Sequence, residues 1–142
     1  MKLLKLLTLS LLCTVLTVQA ETLTVIVTGL ENNHGEVQCS LYNKEGTIPD
    51  KELNKYYKMQ RVSINGTQVK VIFKNLPKGR YAVNVFHDEN NNSIIDKGLL
   101  MPEEGVGLSN FETINFFHLP NFKKASFLLA EDKEIQMKII YF

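Results

Sequence analysis

Cysteine is scarce here, occurring only at Cys13 and Cys39. Cys13 lies in an apolar N-terminal run with the pattern of a removable leader, so no disulfide framework is expected to hold this chain together. Cys39 stands in Val37-Gln38-Cys39-Ser40-Leu41, where alternation puts it on the face of Val37 and Leu41, as a small buried hydrophobe. No apolar stretch reaches the ~20 residues a membrane helix needs. Charge of one sign is also missing. The formal net charge is +1, and without Lys2 and Lys5 the balance is 14 basic against 15 acidic side chains. Neither nucleic acid nor a polybasic membrane contact is favoured by such a field.

Several catalytic signatures are absent as well. His34, His87 and His118 are too scattered for a zinc-binding HExxH spacing, and Ser109-Asn110 lacks the Gly-x-Ser-x-Gly setting of a nucleophile elbow. The chain has no internal repeat and no low-complexity segment.

What is present begins with Lys2 and Lys5, then thirteen mostly apolar residues from Leu6 to Val18, then Gln19-Ala20 before Glu21. This is the pattern of a secretory signal peptide, with cleavage expected after Ala20. A leucine directly before Cys13 argues against lipid attachment there. The expected product spans 21–142, enough for one hydrophobic core, with no stable membrane anchor and a periplasmic or secreted destination.

The dominant periodicity of this region is two, which means strands. Seven are expected, at Thr22–Leu30, Glu36–Tyr42, Met59–Ile64, Thr67–Lys74, Tyr81–Phe86, Ala125–Leu129 and Glu134–Tyr141. Asn65-Gly66 between two β-prone runs reads as a type I′ hairpin. Pro77 and Gly79 mark a second tight connection, with Gly79 free to turn left-handed. Pro49, followed by acids and then lysines, suits one or two helical turns near 50–57. The fold class is therefore all-β, an antiparallel β-sandwich. The stretch 90–124 reads as a long loop, which in a small domain is functional or pinned by something. Phe111, Phe116 and Phe117 in it serve either as exposed anchors of a binding surface or as packing under the loop.

The loop opens with HDENNNSIID, residues 87–96. Asp88, Asn90, Asn92, the Ile94 carbonyl and Asp96 occupy alternate positions, as oxygen ligands do in a calcium loop. Two formal charges predict weak affinity, in the roughly 10⁻⁴ to 10⁻³ M range of extracellular modules. Ser93 stands where such loops carry glycine, at a cost on the order of 1 kcal/mol if left-handed. Leu99 at the twelfth position excludes an ordinary EF-hand, leaving Glu103 or Glu104 to complete a shell. The competing reading is an asparagine-rich connection held by Asx turns without an ion. A third takes His87, Glu103 and Glu104 as the acid and base of a hydrolase. His87 itself falls on the face of Tyr81, Val83 and Val85, where packing is the commoner role.

Leu76-Pro77-Lys78-Gly79-Arg80-Tyr81-Ala82, then His87 to Asp96, then Pro102-Glu103-Glu104-Gly105-Val106-Gly107-Leu108-Ser109-Asn110 resemble, in order, the motifs LPxGxYA, HDENGNGxxD and PxEGxGFSN. These belong to a bacterial domain-of-unknown-function family of small secreted proteins. The likeness extends over the whole of 21–142, and departs at Asn91, Ser93 and Leu108. Its strand–LPxGxY–strand element is similar to transthyretin-like sandwiches, some of which hold calcium in DxNxDGxxD loops. The resemblance thus implies a non-enzymatic binding or structural module, with a calcium site pinning the long loop and an extracytoplasmic ligand or partner.

Overall fold

The computed structural model describes residues 19–96, 102–114 and 119–142, so most of the leader, with Leu99, Phe116, Phe117 and His118, lies outside the described residues. Eight strands follow in chain order: β1 (Glu21–Thr28), β2 (Glu36–Tyr42), β3 (Lys58–Ser63), β4 (Gln68–Leu76), β5 (Gly79–Asp88), β6 (Val106–Leu108), β7 (Phe127–Leu129) and β8 (Lys133–Lys138). They form two sheets, one ordered β4-β1-β8 and one ordered β3-β2-β5-β6, with β7 pairing the start of β5.

Alternation explains the first sheet. Leu23, Val25 and Val27 on β1 and Val69, Val71 and Phe73 on β4 are buried, while their neighbours face outward. They meet Val37, Cys39 and Leu41 of β2 and Tyr81, Val83 and Val85 of β5 in one core. Burial lifts the Cys39 thiol far above the usual range, which makes it an inert packing group.

Strands β2 and β5 of the second sheet are buried on both faces. The outer side of this sheet carries two apolar patches, one around Tyr42, Ala82, Leu108 and Phe122, the other around Leu53, Phe86 and Val106. Phe111 packs half-buried against the first patch, which is the packing role rather than the exposed one.

Four expectations are corrected. The sandwich is not wholly antiparallel, since β8 runs parallel to β1 from Leu23↔Lys133 to Thr28↔Lys138. A parallel partner needs a crossover, and here all intervening strands supply it. Asn65-Gly66 makes no hairpin, because β3 and β4 belong to different sheets and only Gly66 of the two takes positive φ, at 118°. Buried Ile64 is the pivot that carries the chain across. The Leu76–Gly79 connection also crosses between sheets, and the left-handed residue is Asn75 (φ 57°), not Gly79. Tyr81 closes that corner by donating its hydroxyl to the Pro77 carbonyl at 2.8 Å.

No helix forms near 50–57. The Asp50 carboxylate instead accepts the N–H groups of Asn54 (3.2 Å) and Lys55 (2.8 Å) and the Tyr42 hydroxyl (3.0 Å). Such side-chain acceptance competes with helix hydrogen bonds and folds the segment as a loop over the second sheet. Burial and the Asp50 carboxylate push the Tyr42 hydroxyl well above its usual range. Among the described residues the one helical turn is at Phe122–Ala125, capped by Asn121, whose side chain accepts from Lys124 N–H at 2.9 Å.

β6 lies inside the stretch that reads as loop. Its glycines explain its path: a Cβ on Gly107 would sit 2.8 Å from both the Lys138 carbonyl and Val85 Cγ2. A Cβ on Gly105 would meet Ile139 at 2.3 Å and the Tyr141 ring at 2.6 Å. The C-terminal segment lies directly on these positions, through the Val106–Ile140 bridge. We expect Gly107→Ala to destabilise the fold by about 1–3 kcal/mol through overpacking, read as a lower unfolding midpoint in denaturant; an unchanged midpoint would show that the approach is loose.

Candidate functional site

The asparagine-rich loop grows from the end of β5, where the strand alternation sends His87 inward and Asp88 toward the outer face. Both are fully buried. His87 Nε2 lies 2.8 Å from the His34 carbonyl and Nδ1 lies 2.6 Å from the Tyr141 hydroxyl. A carbonyl only accepts, so Nε2 carries a proton and donates it to His34, while Nδ1 is taken up by the Tyr141 hydroxyl. Burial, then the carboxylates of Glu89 and Glu31, raise the Tyr141 hydroxyl above its usual range, partly offset by the Glu31 N–H it accepts. The imidazole is thus locked between two elements and has no nitrogen left for a substrate.

Asp88 is the hub. Its Oδ1 accepts Asn92 N–H at 3.0 Å, and its Oδ2 accepts Ser93 N–H at 2.8 Å and an Arg61 Nη1–H at 3.4 Å. Arg61 also reaches Glu36 at 3.1 Å and donates Nη2 to Gln38 at 2.7 Å. Directing two successive N–H groups to one carboxylate makes the chain curl tightly, and Asn91 (φ 59°) and Ser93 (φ 67°) are left-handed. These are the two positions at which the motif resembled by the sequence has glycine.

The loop then repeats one device. Asn90 Oδ1 accepts Asn92 N–H at 2.9 Å, and Asn92 Oδ1 accepts Ile94 N–H at 2.8 Å. These Asx turns hold the side-chain oxygens against the backbone and leave the amide nitrogens on the side of Asp96. Asp96 sits across from them, accepting Asn90 Nδ2 at 2.6 Å and Asn92 Nδ2 at 3.0 Å. Glu104 reaches back to the same loop, taking Glu89 N–H (3.0 Å) and Asp96 N–H (3.1 Å). Its carboxyl is raised above the usual range by burial, with the two N–H groups opposing and the Asp96 and Asp88 charges adding.

Asp88, Asn90, Asn92 and Asp96 are therefore brought together, and Glu104 joins them. Ile94 contributes its N–H, while its side chain points to solvent, 64% exposed. The Glu103 side chain is exposed and only its backbone N–H is tied, to the Asp96 carbonyl at 2.8 Å. The donor set is all hard oxygen, which suits calcium. Both amides present nitrogen to Asp96, so a cation between these groups requires the amides to rotate. Among the described residues, no group of three or more His, Cys, Asp or Glu side chains is placed to hold a metal.

Three participants escape a reading of the sequence. Arg61 pairs with Gln38 of β2 and Asp88 with Glu36, two residues along the same strand, and Tyr141 comes from the far end of the chain. Gly35, left-handed at φ 65°, has room for no side chain, since a Cβ would fall 1.8 Å from the Asp88 carbonyl oxygen.

A family model described as "Uncharacterized protein conserved in bacteria (DUF2141)" matches residues 25–138. No curated protein and no solved structure matches the chain.

Two outcomes follow from the loop geometry. Ser93→Gly relieves a left-handed serine and raises stability by about 1 kcal/mol, checked by denaturant unfolding; a destabilised variant would mean that the serine side chain holds the turn. Glu104 has a raised folded-state pKa, so the folded state keeps its proton longer than the unfolded chain. Its contribution is most favourable below the ordinary glutamate range and declines as pH rises through the raised value. Glu104→Gln should remove that part of the pH dependence, and an unaltered stability–pH curve would contradict it.

Proposed function

This chain belongs to the bacterial DUF2141 family, and we propose that it works as an exported, non-enzymatic β-sandwich module whose 88–96 loop binds calcium weakly. The observation that carries the calcium reading is the run of Asx turns at Asn90 and Asn92 beside the Asp88 carboxylate, with Asp96 facing them. Oxygen-bearing side chains at every second residue are the spacing a hard cation needs, once the two amides turn their oxygens toward Asp96. When bound, calcium supplies a cross-link of charge; Asp88, Asp96 and the two rotated amides would hold it. Its place would be to pin the long connection to β6 without a disulfide. At tenfold excess over the dissociation constant, binding would stabilise the fold by about 1.4 kcal/mol.

Export rests on the Lys2/Lys5 and Leu6–Val18 leader pattern. It is supported by strand β1 starting at Glu21, directly after the expected cleavage point. The Glu21 carboxylate is buried, with Lys78 Nζ 3.6 Å away. The transthyretin-like likeness belongs to the same reading and draws support from the two facing sheets and the Tyr81–Pro77 corner. The partner class is an extracytoplasmic ligand or protein. A hydrolase built on His87, Glu103 and Glu104 has no observation in its favour, because His87 is enclosed and both Glu104 oxygens accept backbone N–H groups.

Calorimetric titration of chelator-treated 21–142 with calcium and then magnesium tests the site. Saturable heat at roughly 10⁻⁴ to 10⁻³ M calcium, lost in Asp96→Asn, is the expected result. Absence of heat, together with a melting temperature indifferent to millimolar calcium, would leave HDENNNSIID as a self-contained turn. Mass spectrometry of the exported protein should give Glu21 as the first residue, and a retained leader would overturn the export reading.

A further inference from the structure

Among the described residues, two buried side-chain oxygens receive no hydrogen bond, Asn84 Oδ1 and Glu21 Oε1. The second belongs to a carboxylate at the start of β1, and a buried carboxylate left short of donors is costly. The Glu21 side chain is 5% exposed, and Lys78 Nζ lies 3.6 Å from Oε1, longer than a hydrogen bond. The Lys78 side chain is itself half in solvent. An oxygen so enclosed calls for a donor that is held in place without a long, solvated stem.

The backbone at this corner is fixed from both sides. Glu21 stands opposite Leu76 of β4, and the Thr22 N–H goes to Asp132 Oδ1, just ahead of β8, at 2.7 Å. Gln19 and Ala20, by contrast, are exposed. In the uncut chain the Glu21 nitrogen is a neutral amide with one hydrogen. Cut after Ala20, it is an ammonium with three, in the same place and held by covalent geometry a few ångströms from its own carboxylate.

We propose that leader removal completes the fold at this corner: the α-ammonium freed on Glu21 is the missing partner of the buried Glu21 carboxylate, so the cut chain is locked there and the uncut chain is not. The cut is a hydrolysis, in which water divides the Ala20–Glu21 peptide bond. The proton released by the new Ala20 carboxyl group is matched by the one the amine takes up at neutral pH. Four charged side chains surround that amine. The Glu21 carboxylate is on the same residue and Asp132 is bonded to the next N–H, whereas Lys78 and Lys133, which stands opposite Leu23, both end in solvent. Attraction therefore outweighs repulsion. The inference rests on the export reading, through the cut after Ala20, and is independent of calcium.

The test compares urea unfolding at neutral pH of the chain 21–142, with Glu21 as its first residue, and of 19–142, which moves the amine two residues away. Each is also made as Glu21→Gln. All the buried residues described lie within 21–142, so both lengths hold the whole core. The shorter chain is expected to have a folding equilibrium constant about three- to tenfold larger, the worth of one partly desolvated ion pair. Glu21→Gln should abolish that difference. An extension that weakens both sequences equally, or neither, would overturn the proposal. Should the glutamine variant not fold, NMR titration of the α-amine of 21–142 decides: a pKa above the ordinary range of about 7.7–8.0 is expected, and one within or below it would overturn the proposal. Both chains have their first residue set in advance. Failure here therefore sinks the ion pair alone, whereas mass spectrometry of the exported protein tests the cut.

Discussion

A fully buried carboxylate at a strand end has to be answered, and Asp88 is the constraint from which the site follows. Removing one partner of a buried pair costs about 3–5 kcal/mol, so neighbours are arranged to keep it satisfied. Arg61 approaches from β3, and two successive backbone N–H groups curl onto it from the loop. That curl requires left-handed residues at 91 and 93, and it lines up the Asx turns that face Asp96. Asp88 therefore holds the loop in shape, whereas Asp96 can lose its charge with less damage to the framework. A change at Asp88 would confuse a lost ligand with a lost scaffold.

The same logic extends to the motifs. Gly105 and Gly107 admit the C-terminal segment, and Ser109 fastens β5 to the helical turn by accepting Val83 N–H and donating to the Ala125 carbonyl. Asn110 donates to carbonyls of the same turn, and Arg80 donates to Ser126. These are architectural roles. The residues that make the three motifs recognisable chiefly join the loops to the second sheet, which helps to bury β2 and β5 on both faces.

Much of this was legible in the sequence because it is local. Alternating apolar residues gave seven of the eight strands, and alternate oxygens marked the loop. The partition into sheets was not legible, since Asn65-Gly66 carries the same hairpin signal whether its strands pair or part. Nor was the parallel β1–β8 pair, which joins segments more than a hundred residues apart. Asp50 misled for a physical reason: an acid after proline can open a helix or, as here, collect N–H groups that end one. In the site, the oxygens were readable, while Arg61 and Tyr141 were not, because only tertiary pairing brings them in.

The parallel pairing also bears on timing. The central strand of the smaller sheet is the first strand made, yet one of its two flanking strands is the last. Until that strand emerges, the sheet has one side of its middle unmatched and the core stays open. Such long-range closure folds slowly compared with local structure. A chain wired in this way cannot close its core while it is still being made, and the middle of its smaller sheet is completed by the last strand to emerge.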